Sequence, residues 1–129
     1  LEHPGIVPVH DLGRLADGRL YYVMKLVRGR TLSAERAQLT TDSARLSVVE
    51  RVVEAVAFAH AQGVVHRDLK PANVMVGQFG EVLVMDWGVA RWLAQGAEGL
   101  SRVGTPGFMA PEQAGSSADR VGPPADVYA

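Results

Sequence analysis

A chain of 129 residues is long enough for one modest domain with its own core. A net charge of −1 gives no reason to expect nucleic acid or an anionic membrane as the main partner, and no apolar run reaches the length of a membrane-spanning helix. The absence of cysteine excludes disulfides and cysteine-ligated metals and fits a reducing compartment.

In chain order, residues 6–12 read as a strand, with Pro8 marking an edge or a bulge. Asp17-Gly18 supplies a hairpin signal, and residues 20–27 (LYYVMKLV) form a second strand rich in aromatic and β-branched residues. A short helix is expected at residues 34–38. Thr40-Thr41-Asp42 then offers caps for a long helix running to Gln62, closed by Gly63. Leu46, Val49, Val53, Val56 and His60 step by three and four along that helix, so they share one face, which Val52 and Ala59 widen. Val64-Val65 is a two-residue strand. Residues 74–76 and 81–85 form a hairpin around the turn at 77–80.

Between them lies His66-Arg67-Asp68-Leu69-Lys70-Pro71-Ala72-Asn73, followed by Asp86-Trp87-Gly88 and Ala110-Pro111-Glu112. A carboxylate, an ammonium and an amide thus share one loop, and a second carboxylate follows eighteen residues after the first. That set suits phosphoryl transfer, which asks a protein for positioning and charge neutralisation more than for covalent help. Asp68 would accept the proton of an attacking hydroxyl. Lys70 would offset charge on the transferring group, while Asn73 and Asp86 would hold Mg²⁺ through hard oxygen ligands. Taken singly, Asp68 is a turn residue, Asn73 a cap and Asp86 a strand-end carboxylate. Those readings leave the ordered combination unexplained.

The three motifs resemble H-R-D-L-x-x-x-N, D-F-G and A-P-E of eukaryotic-type serine/threonine protein kinases, in a bacterial-looking form. The resemblance implies an α+β, two-lobe fold using ATP and Mg²⁺ to phosphorylate Ser/Thr hydroxyls of a protein substrate. It assigns residues 1–27 to the end of the small lobe and the hinge, and 28–129 to the first part of the large lobe. Met24 would be the gatekeeper, Lys25–Val27 the hinge that meets the adenine, and Met75 the floor beneath it. Lys70, Asn73 and Asp86 would face the phosphates, and Thr105 would help place the substrate hydroxyl. His66 would pack under Asp86-Trp87-Gly88, where Trp87 departs from the usual Phe and brings an N–H that needs a partner. Asp126 would anchor the catalytic-loop backbone, and Glu112 would lack its usual Arg. Residues 89–110 would be the activation segment, with Ser101 as a phosphorylation site answered by Arg67.

Neither G-x-G-x-x-G nor G-x-x-x-x-G-K-[ST] occurs, so by resemblance the chain is the middle of a kinase domain, truncated at both ends. Residues 1–129 alone are then expected to turn over little, since each lost electrostatic element costs roughly 10²–10³-fold. The apolar face of the long helix would lack its cover. Other readings are a non-catalytic binding module and a small-molecule kinase of the aminoglycoside type, to which Asp86-Trp87 lends some support. His60 and His66 are read as structural rather than as zinc ligands. The location expected for the domain is cytoplasmic.

Overall fold

The computed structural model describes residues 1–95, 103–115 and 121–129. Strands β1 (Val9–Arg14) and β2 (Leu20–Met24) pair antiparallel across the Asp17-Gly18 turn, where Gly18 takes φ 88°. The register slips between Val9 and Asp11, so the irregularity falls just after Pro8, and β1 starts later than Ile6. Pro8 has no N–H to donate to a ladder, which is why the strand begins beyond it. Ile6 makes instead a parallel bridge to Val84.

Strand β3 (Gly29–Thr31) was not anticipated. It joins a three-stranded antiparallel sheet in the order β3-β5-β6, with β5 at Val74–Gly77 and β6 at Val82–Val84. Gly29 is required there: a Cβ would lie 2.2 Å from the Val76 carbonyl oxygen. Helix α1 covers Leu32–Glu35, earlier than expected, because Thr31 caps it by accepting from the Ala34 N–H at 3.3 Å. Thr41 caps α2 (Asp42–Ala61) in the same way, and Gly63, at φ 76°, ends it.

The face of α2 that reaches the core overlaps the expected one only in part: Val52, Val56 and Ala59 belong to both, while Leu46, Val49 and Val53 turn outward. Val48, Ala55, Val56 and Ala59 are buried, with Val52 packed beside them, whereas Leu46, Val49 and Val53 are 60%, 53% and 58% exposed. The small alanines let β6 approach closely, so Ile6, Val64 and Val84 close one cluster with them, and Val74 and Val82 close another with Val48. Val49 and Val53 line an apolar cavity of about 470 Å³, bounded also by Leu69, Pro71 and Val127. Apolar residues therefore occupy two faces of one helix, and spacing alone does not say which is inside.

Strand β4 (Val64–Val65) pairs with β7 (Arg91–Trp92), and helices α3 (Pro111–Ala114) and α4 (Pro123–Tyr128) complete the described residues. Ala110, Val121 and Ala125 form a small third core cluster there. Among the described residues no helix is long and apolar enough to cross a membrane.

Candidate active site

Strand β4 delivers the loop at 66–70, and a 3₁₀ turn at Pro71–Asn73 returns it to β5. Asp126 of α4, 4% exposed, holds the loop's start. Its Oδ2 accepts from the His66 N–H and its Oδ1 from the Arg67 N–H, both at 2.8 Å, and His60 Nε2 lies 2.8 Å from Oδ2. His60, on α2, thus ties the helix to the same carboxylate. Arg67 adopts φ 69°, a left-handed backbone that L-residues rarely take, and its Nε donates to the Val89 carbonyl at 2.6 Å. Burial lowers the pKa of its guanidinium, as does the positive charge of Arg91, against a smaller opposing pull from Asp126.

Beyond Arg67 the reactive groups converge. Lys70 Nζ donates to Asp68 Oδ2 at 2.7 Å and also to the Thr105 hydroxyl, whose own proton goes to Asp68 Oδ1 at 2.7 Å. Asn73 Nδ2 donates to the Asp68 carbonyl at 2.9 Å and to Asp68 Oδ2 at 3.2 Å. Burial alone would raise the Asp68 pKa. Hydrogen bonds from Lys70, Thr105 and Asn73, with the charge on Lys70, outweigh it and hold the carboxyl below its ordinary value.

Asp86 reaches this region along a different element. The Met85 N–H donates to the Asn73 carbonyl at 2.8 Å, and His66 Nε2 lies 2.9 Å from the Met85 carbonyl, so the residue preceding Asp86 is pinned to the loop at two points. Asp86 itself has φ 60° and ψ 60°. It is exposed, and its carboxylate makes no hydrogen bond or ion pair among the described residues. Asn73 Oδ1 is likewise without a hydrogen-bond donor among them, its Nδ2 being the engaged end. Two uncommitted hard oxygens on neighbouring segments fit a divalent cation. Gly88 keeps the space beside Asp86 clear, since a Cβ there would sit 3.3 Å from Oδ1.

The indole N–H of Trp87 finds its partner in the Val84 carbonyl at 3.2 Å, and the ring lies 4.6 Å from that of His66. Nucleotide-facing candidates sit in the connection from hairpin to sheet. Met24 ends β2, and the Lys25 N–H is taken by the Pro8 carbonyl at 3.0 Å. Val27, half-buried, has no backbone hydrogen bond among the described residues. Met75 sits within β5, opposite Thr31 and Leu83. Glu112, in α3, has no ion pair among the described residues, and Ser101 lies outside them.

All 129 residues match the sequence profile of the protein kinase domain. The chain belongs to the protein kinase family. This kinase chain is 36% identical to the serine/threonine-protein kinase PknD of Protochlamydia amoebophila, over 88% of its own residues and 15% of that protein. It is also 36% identical to a probable serine/threonine-protein kinase PknB of Lactococcus lactis, with 100% and 21% covered, and to PknB of Mycobacterium tuberculosis, with 99% and 22% covered. The kinase chain thus spans between 15% and 22% of the length of these relatives. Kinases of this family use ATP and a divalent metal.

Two contributors went unremarked in the sequence. Arg91 is buried in β7 and donates to the Val121 carbonyl at 3.2 Å. Gln113 is buried in α3 and bonds to the backbone of both motif segments. Gln113 stands three residues after Ala110, the place of the acceptor in a capping box, but the Ser or Thr that announces such a box is missing.

Proposed function

We propose that the protein is a serine/threonine protein kinase that transfers the γ-phosphoryl group of ATP to a protein hydroxyl. One observation carries this reading: Asp68, Lys70, Asn73 and Thr105 form a single hydrogen-bonded cluster, drawn from segments up to 37 residues apart. The substrate hydroxyl oxygen bonds to the γ-phosphorus while the bond from that phosphorus to the β–γ bridging oxygen breaks and ADP leaves. The hydroxyl proton passes to Asp68, whose oxygens keep free lone pairs beside the bonds they already accept. Its lowered pKa makes Asp68 an orienter of the hydroxyl first and a proton acceptor only as the oxygen becomes acidic during transfer.

Lys70 supplies a positive charge to the transferring group, and Thr105 fixes the carboxylate between substrate and loop. Asn73 Oδ1 and Asp86 would hold Mg²⁺, which when bound neutralises phosphate charge. Met24, Lys25, Val27 and Met75 would receive the adenine, with the Val27 backbone groups and the Lys25 carbonyl as its hydrogen-bonding edge. Phosphorylated Ser101 would dock on Arg67. A cytoplasmic location fits the need for ATP, and the chain has no cysteine that would call for an oxidising compartment. That the relatives are named as protein kinases favours a protein substrate over the small-molecule reading suggested by Trp87.

The test is transfer of labelled γ-phosphate from ATP to a Ser/Thr peptide by the full-length protein. Asp68→Asn should abolish it, and equal labelling by wild type and Asp68→Asn would overturn the reading.

A further inference from the structure

We infer that Gln113 is a positioning residue for the protein substrate, acting by fastening the Gly104-Thr105 segment to the catalytic loop; this rests on the kinase reading above. Gln113 is 6% exposed, and both ends of its side-chain amide are engaged. Its Oε1 accepts from the Ala110 N–H at 3.0 Å, while its Nε2 donates to the Arg67 carbonyl at 2.7 Å and the Val103 carbonyl at 3.4 Å. One side chain thus joins three backbone points on two segments, the farthest being Arg67, 46 residues before Gln113 itself.

The Arg67 carbonyl is the meeting point. Arg67 holds a left-handed backbone, so its carbonyl points where no regular ladder can satisfy it, and the Gln113 amide supplies a donor. Gly104 lies against the same oxygen: at φ 131° it has no side chain to spare, since a Cβ would fall 3.1 Å from Arg67 O. The next residue along is Thr105, whose hydroxyl donates to Asp68. Gln113 therefore holds the strip 103–105 at the height from which Thr105 reaches the reacting carboxylate. Its hydrogen bonds go to neither the nucleotide-facing candidates nor the metal-facing oxygens, so its effect should fall on substrate placement rather than on ATP.

Two variants of the full-length protein separate the tether from general packing. Gln113→Glu keeps the shape and the acceptor for Ala110 but turns an oxygen toward two carbonyls; Gln113→Ala removes all three bonds. Both should raise the KM for a Ser/Thr peptide about tenfold or more, as expected for losing buried hydrogen bonds, with the KM for ATP within about twofold of wild type. Peptide KM unchanged in both, or ATP KM rising in parallel, overturns the inference. Amide hydrogen exchange supplies a readout independent of activity. Exchange over residues 103–110 should quicken about tenfold while α2 keeps its protection. No change there, or a rise spread through α2, overturns the inference too. Should the wild type label peptide no better than Asp68→Asn, the kinase reading fails and exchange alone decides the tether.

Discussion

Removing the Asp126 carboxyl should loosen the catalytic loop more than any other single truncation in α4. In Asp126→Ala, the His66 and Arg67 N–H groups lose their acceptor; His66 is fully buried and Arg67 partly so. Each buried donor left without a partner costs about 1–3 kcal/mol, and bonds to a charged acceptor stand at the upper end. His60 is partly exposed and regains solvent, so it adds little. The expected loss is about 3–5 kcal/mol, a large share of the roughly 5–15 kcal/mol that stabilises a domain. Asp126→Asn keeps one acceptor and turns an NH₂ toward the other donor, so about half that loss is expected. Urea unfolding gives the stability change, and amide exchange at His66 and Arg67 locates it. A loss below about 1 kcal/mol in Asp126→Ala, with exchange at those two amides unchanged, would refute the anchoring argument.

Further outcomes can be checked alongside it. Thr105→Ala should lower kcat/KM for peptide about tenfold or more by removing a bond to a charged acceptor, and Thr105→Ser should restore most of it; equal activity in Ala and Ser variants counts against the role. Because its folded pKa is depressed, Asp68 adds stability above its unfolded value of about 3.9, and this is lost as pH falls through the lower folded value. Lys70→Met removes a hydrogen bond and a charge but leaves the burial, so the Asp68 titration followed by carboxyl NMR should move to higher pH; a downward or absent shift contradicts the electrostatic account. On α2, Ala59→Leu should cost about 1–3 kcal/mol by overpacking, and Val53→Lys should stay within about 0.5 kcal/mol, both read from denaturant midpoints. The reverse order would mean that the buried face has been misassigned.

The meeting of the loop's polar groups was readable because they stand at short fixed offsets: Asp68, Lys70 and Asn73 come together through one turn. Thr105 and Asp126 are far away in sequence, and only the motif resemblance pointed them at the loop. Helix α2 was legible in its limits, since Thr41 and Gly63 are local signals, yet its inner face only in part. Valines stand on both sides of the helix, so hydropathy does not separate them, and the buried face is marked by Ala55 and Ala59, small enough for β6 to approach. Strand β3 escaped notice because three residues, Gly-Arg-Thr, have no pattern of their own; pairing with β5 makes them a strand. Gln113 was missed for a similar reason: a glutamine announces no chemistry until its three partners are known.

Arg67 and Asp86 are the non-glycine described residues with a backbone twist that glycine adopts freely. Each such twist costs an L-residue about 1–2 kcal/mol. Glycine at either place would relax the main chain and erase the guanidinium of Arg67 or the carboxylate of Asp86. At these two positions durability and competence pull apart, so a search for hardier versions of this chain would drift toward substitutions that silence it.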